Sequence, residues 1–203
     1  MAQNNPKPRG RPRAYDPEVA LQRATDAFWK AGYSGTSLDE IAAATRMNRP
    51  SLQAAFGDKR AIYLKALRAY WDAKLTAMRD ALRGDRPLDA ALIEAFETAL
   101  SIYFAIDEAP RGCFVLGTAI TEAVDDSEIG EIVAAGFRAL DTIFEDRFKA
   151  AVDAGEIADD ADPQVLATIA TATMQTIALR ARAGFPREEL GAFARKAIRT
   201  ICR

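Results

Sequence analysis

Apolar residues recur at three- and four-residue steps along most of the chain, the period of helices that bury one face. Ala20, Ala24, Ala27, Phe28 and Ala31 mark a first face, opened by Asp16-Pro17-Glu18 and closed by Gly32. Leu38, Ile41 and Ala42 mark a second, and Leu52 with Phe56 a third that Gly57 ends. Leu64, Leu67, Trp71, Leu75, Met78 and Leu82 then predict one long helix, stopped by Gly84-Asp85-Arg86-Pro87. Further helices are predicted over 88–106, 112–124, 127–154, 163–182 and 187–202. The breaks between them are Ala109-Pro110-Arg111-Gly112, Asp125-Asp126, 159–163 and Gly184-Phe185-Pro186. No strand-turn-strand pattern, repeat or low-complexity stretch interrupts the series. The predicted fold class is all-α.

The short pair of helices is specified most closely. Ser37 stands three residues before Glu40, a capping box in which each side chain meets the other's backbone N–H. Arg46-Met47-Asn48 makes the turn, Asn48 caps the next helix, and Pro50 falls in its first turn, where a missing N–H costs little. With Leu52 and Phe56 inward, Arg49, Ser51, Gln53 and Ala54 remain for the outer side. Two short helices on such a turn form a common DNA-reading unit, the second helix entering the major groove. An ordinary helical hairpin in a bundle fits the spacing as well. Ahead of the first helix, Lys7, Arg9, Arg11 and Arg13 alternate with proline and glycine. Such a basic arm suits the narrow minor groove of A/T-rich DNA, although a solvated tail has the same composition.

Asp16 to Tyr63 resembles the DNA-binding domain of tetracycline-repressor-type (TetR family) transcriptional regulators. The resemblance rests on Gly32-Tyr33, Gly35-Thr36-Ser37, the Ile41-Ala42 pair, and Phe56-Gly57-Asp58-Lys59 leading into a long helix. It implies phosphate contacts at Thr36 and Ser37, contacts to bases or backbone from Arg49, Pro50, Ser51 and Gln53, and a phosphate held by Lys59. Asn48 stands with them among the DNA-facing candidates. Many members carry aromatic residues where this chain has Gln53 and Ala55; the Gln53 amide suits adenine instead. The resemblance further implies a three-helix helix-turn-helix domain joined by a long helix to a C-terminal helical domain that dimerises and encloses an effector pocket. The partners expected are a double-stranded DNA operator, a second copy of the chain and an unknown small-molecule effector. A two-fold dimer would match a palindromic operator.

Charge sorts along the chain in the same sense. Residues 1–68 hold 12 Lys and Arg against 6 Asp and Glu, whereas residues 69–203 hold 15 against 23, so only the front is basic. The domains expected are a basic arm over 1–15, the DNA-binding unit over 16–62 and the effector and dimer domain over 63–203. The first residues lack the apolar core of a secretion signal. The longest uncharged stretch, Pro163 to Leu179, is short for a bilayer span and is punctuated by Thr168, Thr171, Thr173, Gln175 and Thr176. No membrane partner is expected, and the location expected is cytoplasmic.

In the rear domain, Phe96, Leu100, Tyr103, Phe104, the segment Cys113 to Gly117 with Leu116, and Phe137 are the candidate pocket residues, with Glu97, Asp107 and Glu122 near them. The apolar and aromatic positions suit a plain core as well, and the three acids could orient a cationic ligand or simply be solvated. Ala167, Ala170, Thr171, Met174 and Ala178 form a small-residue face, and Phe193, Ala197 and Ile201 an apolar stripe, both candidates for the dimer interface. Cys113 follows Pro110-Arg111-Gly112, and Arg111 with a helix N-terminus could make it a reactive thiolate. The alternative is a small buried apolar residue. A thiol-based sensor acting through Cys113 is thus a second functional reading. A helical small-molecule carrier with vestigial DNA binding is a third, of a different class. The chain has no histidine, which excludes Ser-His-Asp and Cys-His catalysis, and it lacks GxSxG, P-loop and GxGxxG motifs. No enzyme activity, cofactor or metal is expected.

Overall fold

The computed structural model describes residues 15–84, 86–104 and 109–202. Among them, the regular structure is helical: α1 Pro17–Ala31, α2 Leu38–Thr45, α3 Arg49–Phe56, α4 Lys59–Ala81, α5 Leu88–Tyr103, α6 Phe114–Thr118, α7 Ser127–Asp153, α8 Pro163–Arg182 and α9 Arg187–Ile201, with a 3-10 turn at Glu122–Val124 before α7. The all-α expectation holds. Most starts are sequence-encoded caps: Asp16, Asn48, Asp58, Asp126 and Asp162 each accept backbone N–H groups of the following turn.

Two expected helices end differently. The helix expected over 88–106 stops at Tyr103, whose carbonyl accepts the N–H groups of both Arg111 and Gly112 at 2.9 Å. Phe104 turns extended and faces Pro110 in an isolated bridge. The helix expected over 112–124 divides into the five-residue α6 and the 3-10 turn. Thr118 closes α6 by donating to Phe114 O at 2.8 Å, and its oxygen accepts from the buried Tyr63 hydroxyl at 2.8 Å. The last residue of α6 thus makes a tertiary contact with α4.

α1 packs on α2 and α4, and α3 follows α2 across the turn; α4 runs on into the rear, against α5 and α7. There α7 and α8 lie along each other and α9 covers α5 and α8. At Gly136 the approach of α7 to α4 is so close that a Cβ would lie 2.1 Å from Cε2 of Trp71. A continuous run of rings joins front to rear. Phe28 meets Tyr63 at 5.1 Å, Tyr63 meets Phe114 at 5.9 Å, and Phe114 meets both Trp29 and Tyr70 at 5.5 Å. These edge-on and tilted ring contacts join α1, α4 and α6.

Candidate nucleic-acid interface

α3 owes its orientation to Leu52 and Phe56, which are 0% and 8% exposed. With that side inward, Arg49, Pro50, Ser51, Gln53 and Ala54 face solvent. Asn48 accepts the Ser51 N–H at 2.8 Å, so its side chain is spent on capping while its position stays exposed. The turn before it closes through Arg46, whose φ of 58° lies in the left-handed region and whose N–H reaches back to Ala43 O at 3.2 Å. Arg46, a turn residue on sequence grounds, stands exposed just before α3.

The other front-domain candidates separate by exposure. Ser37 is exposed, with its N–H donating to Glu40 at 2.7 Å and its Oγ accepting the Glu40 N–H at 3.2 Å. The Ser37 N–H, and with it the Ser37 hydroxyl donating to the same carboxylate oxygen at 2.8 Å, hold the Glu40 carboxyl below the ordinary range. Thr36 is 2% exposed and donates to Gly32 O at 2.6 Å. Its hydroxyl therefore braces the α1–α2 connection, a correction to the phosphate contact expected there. The Arg49 guanidinium pairs with Asp39 on α2. Lys59, at the first residue of α4, lies with Nζ 4.4 Å from the centre of the Tyr33 ring. Arg9, Arg11 and Arg13 lie outside the described residues.

The expected pocket residues are largely packed into the core. Phe96, Leu100, Tyr103 and Phe104 are core, at most 6% exposed. Phe137 packs edge-on against Trp71 at 5.5 Å, and the half-buried Leu116 packs against the core. A Cβ on Gly117 would touch the Arg182 guanidinium at 2.8 Å. Of the neighbouring acids, Glu97 pairs with Arg195 and Glu122 accepts from Ser34, while Asp107 is outside the described residues. A cleft of about 720 Å³ opens between α1, α4 and the end of α5.

Cys113 is buried at the N-cap of α6, but its cation is not the expected one. Arg111 turns away, lying 3.9 Å over the Trp29 ring and pairing with Asp26 at 3.2 Å. The sulfur instead accepts from the Tyr70 hydroxyl at 3.2 Å and has Lys74 Nζ at 4.0 Å. Burial disfavours the Lys74 ammonium, but Cys113 and Tyr103 beside it hold its pKa above the ordinary lysine value. Burial, followed by Cys113 and Tyr103, pushes the Tyr70 phenol well up. Sequence periodicity counted neither residue as chemistry, because both sit on the inward stripe of a long amphipathic helix.

The expected dimer faces need correction too. Ala167, Ala170, Thr171, Met174 and Ala178 are at most 2% exposed, and Ile201 is 8% exposed. Small side chains on α8 admit α7 of the same protomer, and Thr171 donates to Asp141 on that helix at 2.6 Å. Phe193 and Ala197 are half-buried. The opposite side of α8 is the open one, with Val165, Ile169 and Leu179 about half exposed.

Comparison with known proteins spans both halves. A family model described as bacterial regulatory proteins, tetR family, matches residues 20–66, and a tetracyclin repressor-like C-terminal domain model matches residues 90–197. The repressor ComR of Escherichia coli is 28% identical over 195 residues, 95% of this chain and 92% of that protein. The repressor BdcR of the same organism is 35% identical over 107 residues, 53% of this chain and 54% of its own. A cysteine mutant of the TetR family regulator CifR, solved with a 26-base-pair operator duplex, superposes with a TM-score of 0.83. It is 33% identical, covering 94% of this chain and 98% of that one.

Proposed function

From the tetracycline-repressor (TetR) family, to which the chain belongs, we propose a dimeric repressor that leaves a palindromic operator when a small molecule binds its C-terminal domain. The chain is a sequence-specific DNA-binding transcriptional regulator. The observation that carries the reading is α3: its apolar side is buried by Leu52 and Phe56, and Arg49, Pro50, Ser51 and Gln53 are exposed on the other. A helix so presented fits the major groove, where Gln pairs with adenine and Arg with guanine. Ser37 and Lys59, at the starts of α2 and α4, suit phosphates on either side. The arm residues Arg9, Arg11 and Arg13 extend the same basic front. We assign residues 1–15 to the arm, 16–62 to DNA and 63–203 to effector and dimer contacts.

The dimer surface we assign is the exposed side of α8, where Val165, Ile169, Ala172, Thr176 and Leu179 follow alternating four- and three-residue steps, the spacing of a helix-pairing seam. Described helices include none long and apolar enough to cross a membrane. Selecting duplexes from a random pool at near-physiological salt tests the reading. A palindromic consensus supports it, and binding no tighter than to random DNA refutes it in favour of a helical carrier.

A thiol-responsive mode is the second reading, favoured by the Tyr70 hydroxyl and the Lys74 ammonium at the Cys113 sulfur. Sulfur reactivity depends on such donors and nearby cations. Cys113→Ser should abolish any oxidant or electrophile response while leaving DNA affinity of the reduced protein intact; an unchanged response removes this reading.

A further inference from the structure

α4 turns Ala69, Ala73 and Ala77, spaced by four, toward one side, and their short side chains leave the cleft of about 720 Å³ open between α4 and α1. Leu21 and Ile102 add apolar wall, and Trp29 and Tyr70 add aromatic wall. Because α1 supplies one side, an occupant would touch the DNA-reading unit directly.

One lining residue is unusual for such a wall. Lys74 is 3% exposed, yet its described neighbours are the Tyr103 hydroxyl at 3.3 Å, the Cys113 sulfur at 4.0 Å and three aromatic rings within 6.0 Å. None is a carboxylate. An ammonium has three N–H donors, and burying a cation without a counter-charge is costly. Arg111, at the same cleft, shows the ordinary arrangement, balanced by Asp26 at 3.2 Å. Lys74 thus has charge and hydrogen-bonding capacity to spare. Lys74 belongs to the cleft lining, and its flexible side chain lets the ammonium meet a ligand there.

We propose that this cleft binds a small organic monocarboxylate with an aromatic or branched apolar body. Its carboxylate pairs with Lys74, and its body lies between Trp29 and the alanine side of α4. Glu18 and Asp72, also at the cleft, disfavour a second negative charge on the ligand. The proposal rests on the effector-responsive reading above and supplies the chemical class of the effector.

Titration calorimetry on the full-length protein tests it, with 4-tert-butylbenzoate as probe and 4-tert-butylbenzylamine as the cation of matching shape. The carboxylate should bind and the amine should not. Lys74→Met should weaken the carboxylate by roughly tenfold or more. Ala73→Trp, at an exposed position on the cleft, should abolish binding by filling the space without disturbing the core, and it decides the matter if Lys74→Met fails to fold. Equal binding of the amine, undiminished binding to Ala73→Trp, or no carboxylate binding at millimolar concentration overturns the proposal. Operator binding is measured on the same preparations: if it is intact, only the cleft assignment fails, whereas its absence from the parent protein refutes the repressor reading.

Discussion

Arg60 donates through Nε and Nη2 to the two carboxylate oxygens of Asp126, at 2.6 and 2.9 Å, and through Nη2 to Glu128 at 2.8 Å. The residue next to Lys59 is thereby tied to the N-cap of α7, so the helix that carries the phosphate-binding candidate and the helix that packs on α8 share an ion network. Asp126 also accepts the N–H groups of Glu128 and Ile129, which makes it a cap and an ion-pair partner at once.

The Arg60 hydrogen bond lowers the Asp126 carboxyl to about 2, outweighing burial, with the Ile129 N–H adding to the same direction. A depressed carboxylate contributes stability above its unfolded pKa, near 3.8, and loses it as the pH falls through about 2. In a carboxyl-carbon NMR titration Asp126 should stay ionised well below pH 3.8, and in Arg60→Ala its midpoint should move back toward that value. An unmoved midpoint would show that Arg60 is not the cause.

Arg49 and Lys59 should separate specific from general affinity. Arg49→Ala should weaken operator binding by about 1–3 kcal/mol and relax sequence preference at one position of each half-site. Lys59→Ala should weaken operator and random DNA alike and reduce the log–log salt slope by about one unit. Titrations at several salt concentrations distinguish the two. Operator affinity equal to the parent's in both variants would show that the assigned DNA face is wrong.

On α8, Ile169 is 46% exposed, so Ile169→Glu costs the protomer little. Across a two-fold seam it would place two carboxylates in an apolar contact. Sedimentation should show a monomer with unchanged helical circular dichroism, and operator affinity should fall with the lost dimer. A dimer that persists would move the interface elsewhere.

Arg147 is buried, with its side chain 4% exposed, and donates to Glu156 at 2.9 Å. Burial alone would raise the Glu156 carboxyl, but the Leu88 N–H and Arg147 hold it below the ordinary range. Glu156→Gln leaves a buried guanidinium without its counter-charge, a loss of about 3 kcal/mol. Urea denaturation at neutral pH should show it. The difference from the parent should shrink as acid protonates Glu156 from the unfolded pKa near 4.5 downward.

Sequence alone determined the elements whose signals are local. The Ser37–Glu40 box, the Asn48 cap and the inward pair Leu52 and Phe56 act within a turn or two, and they placed α3 and its outer residues. Tertiary structure decided what distant neighbours settle. Periodicity shows that a helix has an apolar side but not which partner covers it, so α8's small residues, which suit any close helix, meet α7 of the same protomer. Thr36 has the same hydroxyl whether it faces phosphate or Gly32; only the packing of α1 on α2 turns it inward. Cys113 gained Tyr70 and Lys74, residues about forty positions earlier, because α4 and the start of α6 converge where burial makes each polar contact count most.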